Sequence, residues 1–390
     1  MQSLFLSKNF LNQVYQRPIL YLVPIWLLVQ LLIYQVYGIR IVFDSYRYFS
    51  YVDSLTEGTT LWQQSDSIFY ASYTLFLYFF SYALVLPIEI TILAQLIISA
   101  LAAYYLYKTT WNLTHNKVAS FISCFLFIIW HDLQVWNFYI HTESLYTSFT
   151  IFILYLISIR SKSYSSIACL SLVLLVITFL RPNGCFITFA AFACSIIDAK
   201  KLFKIDRAVL YSMILAAVFT SVCGIKFILD IFSPLDYLAQ GQVIQGYKGL
   251  SVKIASITSV PNRSNLEQLI YTISEQPIAY LRLLLLRFFV FWGQIRPYYS
   301  ITHNIIIGLF FFPTYIAALL AIKRTKKLNT TFYFMVIVII LQTGMAMIIA
   351  VDWDNRFILP LLPFVFILAS ISITIPNSYK TPRVISSLNH

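Results

Sequence analysis

Long, uninterrupted apolar blocks constrain this chain more than any other feature. They run for roughly 17 to 22 residues, as in Phe332–Ala350, and a helix of ~20 apolar residues matches the ~30 Å hydrocarbon thickness of a bilayer. A transmembrane barrel would show alternating strands of about 10 residues instead. The expected fold is therefore all-α. It is a polytopic transmembrane helical bundle of about 10–12 membrane segments, forming one integral membrane domain over residues 1–390. Two long extracytoplasmic loops, 39–67 and 230–279, interrupt it. Loops of this size in a compact membrane protein are usually functional.

Composition excludes the soluble classes. Only 11% of the 390 residues are charged and 59% are hydrophobic, with a mean hydropathy of +0.78; a soluble domain carries about a quarter charged residues. The net charge of +12 does not point to nucleic acid. The basic residues stand at the ends of apolar blocks, where they set orientation and meet anionic head groups. The five cysteines, Cys124, Cys169, Cys185, Cys194 and Cys223, all lie inside apolar blocks and form no C-x-x-C pair, so they read as small buried hydrophobes.

The first block, Pro18–Tyr37, follows Lys8 and Arg17 and reads as a retained signal anchor. Ile68–Leu86, Ile88–Tyr107, Ala208–Leu229, Tyr280–Gly293 and Ile305–Ile322 are among the further spans. Lys108 with Lys117, the Lys200–Arg207 cluster and the Lys323–Lys327 cluster read as cytoplasmic. Parity then fails around 68–107 and 280–322. Either one block in each region is re-entrant or interfacial, with Tyr280–Gly293, which carries Arg282 and Arg287, the better suspect, or one basic cluster violates the orientation rule, which is a tendency. No internal repeat is visible, so an inverted-repeat transporter gains no support.

Under this orientation four polar clusters fall on the extracytoplasmic side. They are Asp44-Ser45-Tyr46-Arg47-Tyr48; His131-Asp132 with His141-Thr142-Glu143-Ser144; Arg181-Pro182-Asn183-Gly184; and Asp352-Trp353-Asp354-Asn355-Arg356. Each has a plainer reading: Asp44 as a solvated loop acid, Glu143 as a helix-terminal acid favoured by the dipole, Arg181 and Arg356 as arginines reaching for head groups. Ionisable groups at membrane depth are costly and tend to be functional, and their grouping on one side favours function. Acids and arginines together suit a reaction that activates a hydroxyl and expels a phosphate. The candidate catalytic residues are Asp44 and Glu143. The candidate substrate-binding residues are Arg181, Asn183, Arg356, Tyr48, Arg47 and Asp132.

No metal site is assigned. The spacing of His131, Asp132, His141 and Glu143 matches no standard zinc pattern, and Asp352-Trp353-Asp354, formally D-x-D, lacks the α/β nucleotide-binding domain that motif needs. No cofactor is expected, and dependence on a divalent metal stays open. The formal sequons at Asn112, Asn262 and Asn329 carry no weight.

In the order of these features the chain resembles the GT-C superfamily of membrane glycosyltransferases, which take a sugar from a polyprenyl- or dolichyl-phosphate carrier. The resemblance rests on an early first-loop acid (Asp44-Ser45), Thr142-Glu143-Ser144-Leu145-Tyr146 heading a middle span, the Arg181–Gly184 turn, and Arg356-Phe357 leading to Pro360 and Pro363. The middle piece is most similar to GPI mannosyltransferases and their bacterial relatives. The His-Pro-Pro-Leu of protein O-mannosyltransferases is missing; Ser65-Asp66-Ser67-Ile68 stands there. The resemblance implies Asp44 as catalytic acid or base, and Arg181 and Arg356 near the carrier phosphate. Arg287 and Arg296 are further phosphate candidates, and Trp62, Trp136 and Trp353 are candidates for stacking on sugar. It implies inverting transfer from a polyprenyl-phosphate-linked sugar donor to a glycan, lipid or protein acceptor, in the bacterial plasma membrane. The alternatives are a lipid-linked glycan polymerase or ligase, a lipid or sugar transporter (flippase) without catalysis, and an inactive assembly subunit.

Overall fold

The computed structural model describes residues 18–58, 66–159, 163–203, 240–254, 265–324 and 329–374. The expected span Ala208–Leu229, Trp62, Cys223 and Asn262 lie outside them. The described chain is almost entirely helical, in chain order α1 (Ile19–Tyr37), α2 (Asp44–Thr56), α3 (Ala71–Tyr78), α4 (Ile88–Thr114), α5 (Lys117–Ile129), α6 (His131–Gln134), α7 (Glu143–Ser158), α8 (Tyr164–Thr178) and α9 (Gly184–Phe203). A two-stranded hairpin follows, β1 (Gln242–Ile244) and β2 (Tyr247–Ser251), and then α10 (Asn265–Glu275), α11 (Pro277–Gly293), α12 (Ile301–Arg324), α13 (Thr330–Ile349) and α14 (Leu362–Thr374).

Four helices, α1, α4, α12 and α13, are long and apolar enough to cross a membrane, and a fifth span results if α5 and the bent segment after it count as one. Four shorter apolar helices lie among the rest. The helical membrane class therefore stands, with fewer full-length spans among the described residues than the ten to twelve expected. Ile68–Leu86 is not one helix. It breaks into a 3₁₀ turn, the eight-residue α3 and a π turn.

Packing separates two kinds of apolar helix. On α14, Leu362 to Ala369 are all nearly inaccessible; it packs between α5 and α12, as a helix hydrophobic all round must when it lies inside a bundle. On α1 and α12, by contrast, Leu28, Leu31, Leu309 and Phe312 are more than half exposed. Apolar surface of that extent is tolerated only where lipid covers it. The turns at one end are closed by side-chain caps. Asn116 accepts from the Val118 and Ala119 amides, and Asn329 from Phe332, satisfying orphan donors of helix first turns. Asn329 is thus a cap, and Asn112 donates to the Ser158 hydroxyl.

Both presumed loops contain structure. Within 39–67, α2 forms because its buried residues, Ser45, Tyr48, Tyr51 and Val52, recur at helical spacing and because Asp44 sits in its first turn, where the dipole favours an acid. Within 230–279, residues 240–254 hold the hairpin and 265–275 form α10. The chain bends by 69° after α5 and folds back through α6. Part of its polar surface is satisfied internally: Gln134 and Asn137 join Gln30, and Ser144 donates to Asn137. Irregular backbone inside a membrane protein is tolerated only where protein covers it.

Two backbone bridges bring the polar segments to one end. Arg40 pairs with Tyr139, and Ile244 on β1 pairs with Val351 ahead of α14. The hairpin, the segment before α14 and the start of α2 therefore share an end. In a background with the native cysteines replaced, Tyr46→Cys and Lys248→Cys are expected to react with an impermeant maleimide from outside the cell. Lys201→Cys and Lys323→Cys should react only after permeabilisation. Labelling of Tyr46→Cys and Lys201→Cys from the same side would refute the assigned topology.

Candidate active site

Four residues far apart in sequence meet in one ion-paired line. Asp44 opens α2. It follows Phe43, whose φ of +45° is a strained value for a bulky residue, and Ser45 steadies the turn by accepting from the Val42 amide. Asp44 Oδ2 accepts from Arg356 Nη1 at 2.7 Å, and its other oxygen lies 3.4 Å from Arg47. Arg356 also approaches Glu143 Oε1, at 3.7 Å. That same oxygen accepts from Arg181 Nη1 at 2.9 Å.

Each member is positioned by its local fold. Glu143 is the first residue of α7 and is almost inaccessible, as is Arg181. Arg181 belongs to the tight turn between α8 and α9. A side chain on Gly184 would overlap the Ile177 carbonyl, so the turn requires glycine there. Its Asn183 carbonyl accepts from the Tyr146 hydroxyl at 3.0 Å. Asp352, fully buried, accepts from the Arg356 and Phe357 amides. This carboxylate caps the turn that presents Arg356. His141, also buried, holds the Val42 carbonyl at 3.0 Å through Nε2, with Nδ1 3.5 Å from Glu143 Oε2. It ties the approach to Asp44 directly to Glu143.

Aromatic faces line the cluster. Trp136 lies under the Arg356 guanidinium at 6.0 Å, and Tyr146 and Phe357 each stand 5.7 Å from Arg181, within cation–π range. Tyr48 is buried against Tyr70, Tyr73 and His141, with Arg47 over Tyr48 and Tyr70. Several buried donors at this site have no hydrogen-bond partner: Arg356 Nε, Arg47 Nε and Asn183 Nδ2. An unsatisfied buried donor costs ~1–3 kcal/mol, so a polar ligand that accepted from these groups would recover that cost.

Electrostatics distinguishes the two acids. Burial pushes the Asp44 carboxyl up, but Arg356 and Arg47 beside it, with the hydrogen bond from Arg356, hold it below the ordinary carboxylate value. Asp44 keeps about a third of its side-chain exposure, whereas the Glu143 side chain keeps 1%. Asp44 is therefore partly open to solvent. Glu143 is closed in by Arg181, Arg356 and His141.

The remaining candidates separate. Asp132 takes no part in the line: it accepts from His303 at 3.0 Å and lies 3.1 Å from His131, at the start of the bent segment. Arg287, fully buried, donates to the backbone carbonyls of Gln242, Met347 and Ile348. Arg296 likewise holds those of Val290 and Asp352. Both arginines clamp backbone and are not available to a phosphate. Arg287→Met should accordingly lower stability by on the order of 3 kcal/mol, through carbonyls left unpaired in the interior, while donor affinity of the folded protein stays unchanged; thermal unfolding and a donor titration check the two halves. Among the described residues no three His, Cys, Asp or Glu side chains are arranged to hold a metal. A cavity of about 520 Å³ lies at the opposite end of the bundle, lined by Pro18, Tyr107, Lys108, Trp111 and Lys117, remote from the acids.

Sequence reasoning did not single out His141 as a tether, His303 as the partner of Asp132, or Tyr298 beside Trp353. None of these pairings has a local signal, since the partners, Val42 with His141, Asp132 with His303 and Tyr298 with Trp353, are 55 to 171 positions apart. Comparison with known proteins gives no match: neither a family model, nor a curated protein, nor a solved structure is similar to this chain.

Proposed function

We propose that the chain is a membrane glycosyltransferase that moves a sugar from a polyprenyl-phosphate carrier to an extracytoplasmic acceptor in a single inverting displacement. One observation carries this reading. Asp44, Glu143, Arg181 and Arg356, drawn from four separate segments, converge in one ion-paired cluster with unpartnered donors around it. A reaction that needs one base and compensation for a leaving phosphate uses this set.

In this mechanism the acceptor hydroxyl gives its proton to Asp44 as its oxygen attacks the anomeric carbon. The bond from that carbon to the carrier oxygen breaks, and its electron pair leaves with the lipid monophosphate. Arg356 and Arg181 bind the phosphate oxygens; forked guanidinium contacts in a dry site are strong. Phosphate drawn to Arg356 loosens its hold on Asp44, so donor binding strengthens the base at the moment it is needed. The isoprenoid tail lies along apolar helix faces, each buried methylene contributing ~0.8 kcal/mol. The reading calls for no cofactor, and places the protein in a bacterial plasma membrane with a glycan, lipid or protein acceptor.

The test offers the purified protein a labelled sugar on polyprenyl phosphate and, separately, on a nucleotide, across a panel of sugars. Transfer from the lipid carrier is expected. Transfer from the nucleotide sugar alone would remove the proposal.

A further inference from the structure

Beside the ion-paired line stands an aromatic plate that the transfer chemistry leaves unused. The Trp353 indole lies parallel to the Tyr298 ring, with centroids 3.9 Å apart and planes 8° from each other. Tyr247 on β2 meets both edge-on, at 5.4 and 6.1 Å. Three elements thus converge: the hairpin, the turn after α11 and the segment before α14.

The plate is fixed. The Trp353 carbonyl accepts from the Tyr298 hydroxyl at 2.6 Å and lies 3.4 Å from Arg296 Nε, and Arg296 is itself fully buried. Trp353 nonetheless keeps 40% of its surface exposed. A tryptophan that only anchors in head groups needs no such bracing; one that presents a face to a ligand gains by having its ordering cost met in advance.

Polar groups flank the plate on the side of Arg356. Asp354 follows Trp353 directly and is half-buried. Burial raises its carboxyl above the ordinary value, with Arg356 opposing and Asp352 and Glu143 adding to the rise, so it shares the field of the ion-paired line. The Asn355 side-chain oxygen is buried without a hydrogen-bond partner, while its nitrogen donates to the Gln294 carbonyl at 2.8 Å.

We propose that Trp353, braced by Tyr298 and flanked by Asp354, forms the acceptor subsite, and that the acceptor is a saccharide. This rests on the transferase reading and narrows its acceptor class. A pyranose presents a face of C–H groups, which stack on an aromatic plane, and a rim of hydroxyls, which need acceptors such as the Asp354 carboxylate. An alkyl chain would fill neither requirement and would desolvate Asp354 without compensation. One residue, Asn355, separates Asp354 from Arg356, and the charges of Arg356 and Glu143 act on Asp354, so a sugar bound at Asp354 lies near the ion-paired line.

The test is saturation-transfer NMR on the full chain in lipid nanodiscs, which avoids sugar-headed detergents. The probes are methyl glycosides and disaccharides of glucose, galactose, mannose and N-acetylglucosamine. Transfer to the ring protons of at least one probe is expected, weakened at least tenfold by Trp353→Ala, retained by Trp353→Phe, and reduced by Asp354→Asn. Trp111→Ala, at the opposite end, should leave the signal unchanged, and melting temperatures confirm folding. No signal with any probe, or a signal that survives Trp353→Ala, overturns the proposal; the second outcome makes Trp353 a membrane anchor. Saccharide binding with no turnover of any lipid-phosphate sugar would count against the transferase reading alone. Donor turnover without saccharide binding would count against the saccharide acceptor alone.

Discussion

Asp44→Asn is expected to leave a folded protein whose transfer rate is about 10²–10⁴-fold lower, the usual cost of removing a general base. The amide oxygen can still accept from Arg356, so the 2.7 Å contact has a replacement and the turn at Phe43 keeps its geometry. What is lost is the charge that takes the proton. The measurement is kcat with lipid-linked donor, alongside the melting temperature. Turnover at the wild-type rate would take Asp44 out of the chemistry. The pH profile adds an independent readout. The Asp44 carboxyl is held below its ordinary value of ~3.9, so it stays ionised as pH falls toward that value. The acid limb of kcat/KM, which reports the free enzyme, should therefore fall below pH ~3.9. Removing one of the cations that hold it down, by Arg47→Ala, should move that limb upward. A downward movement or none would mean another group controls the profile.

Arg181→Ala is expected to cost ~3–5 kcal/mol of stability as well as donor affinity. Glu143 has almost no access to solvent, and Arg181 supplies its 2.9 Å partner. Breaking a buried pair from one side leaves an uncompensated charge, which is far worse than lacking the pair. Arg356, at 3.7 Å from the same oxygen, compensates only in part. The double variant Arg181→Ala with Glu143→Gln should therefore recover much of the stability while donor binding stays weak. Arg181→Lys should restore the charge but only part of the donor affinity, because a point charge does not reproduce the fork. Thermal unfolding and a donor titration of the wild type, Arg181→Ala, Glu143→Gln and the double variant form the cycle. Additive losses of stability would show that the two side chains do not interact.

Asp44, Glu143, Arg181 and Arg356 were legible in the sequence because each is a charge at the edge of an apolar block. Charge in that position is expensive enough to stand out. Asp132 stood out by the same rule and belongs elsewhere, with His131 and His303. Arg287 and Arg296 also obeyed it, yet they satisfy backbone carbonyls. Cost marks a residue as having a purpose; it does not separate holding backbone from holding substrate.

The sequence by itself determined the membrane class, the helical backbone and the short list of polar residues, because apolar run length and charge placement are local properties. Only the tertiary structure decided that Asp44 meets Arg356 across 312 positions, that Glu143 is enclosed while Asp44 stays partly open, and that a first loop becomes the helix α2. The physical reason is that apolar blocks are nearly interchangeable as surfaces. Which of them pack together depends on the close fit of side chains around α7 and α14, and that fit is written in no single segment.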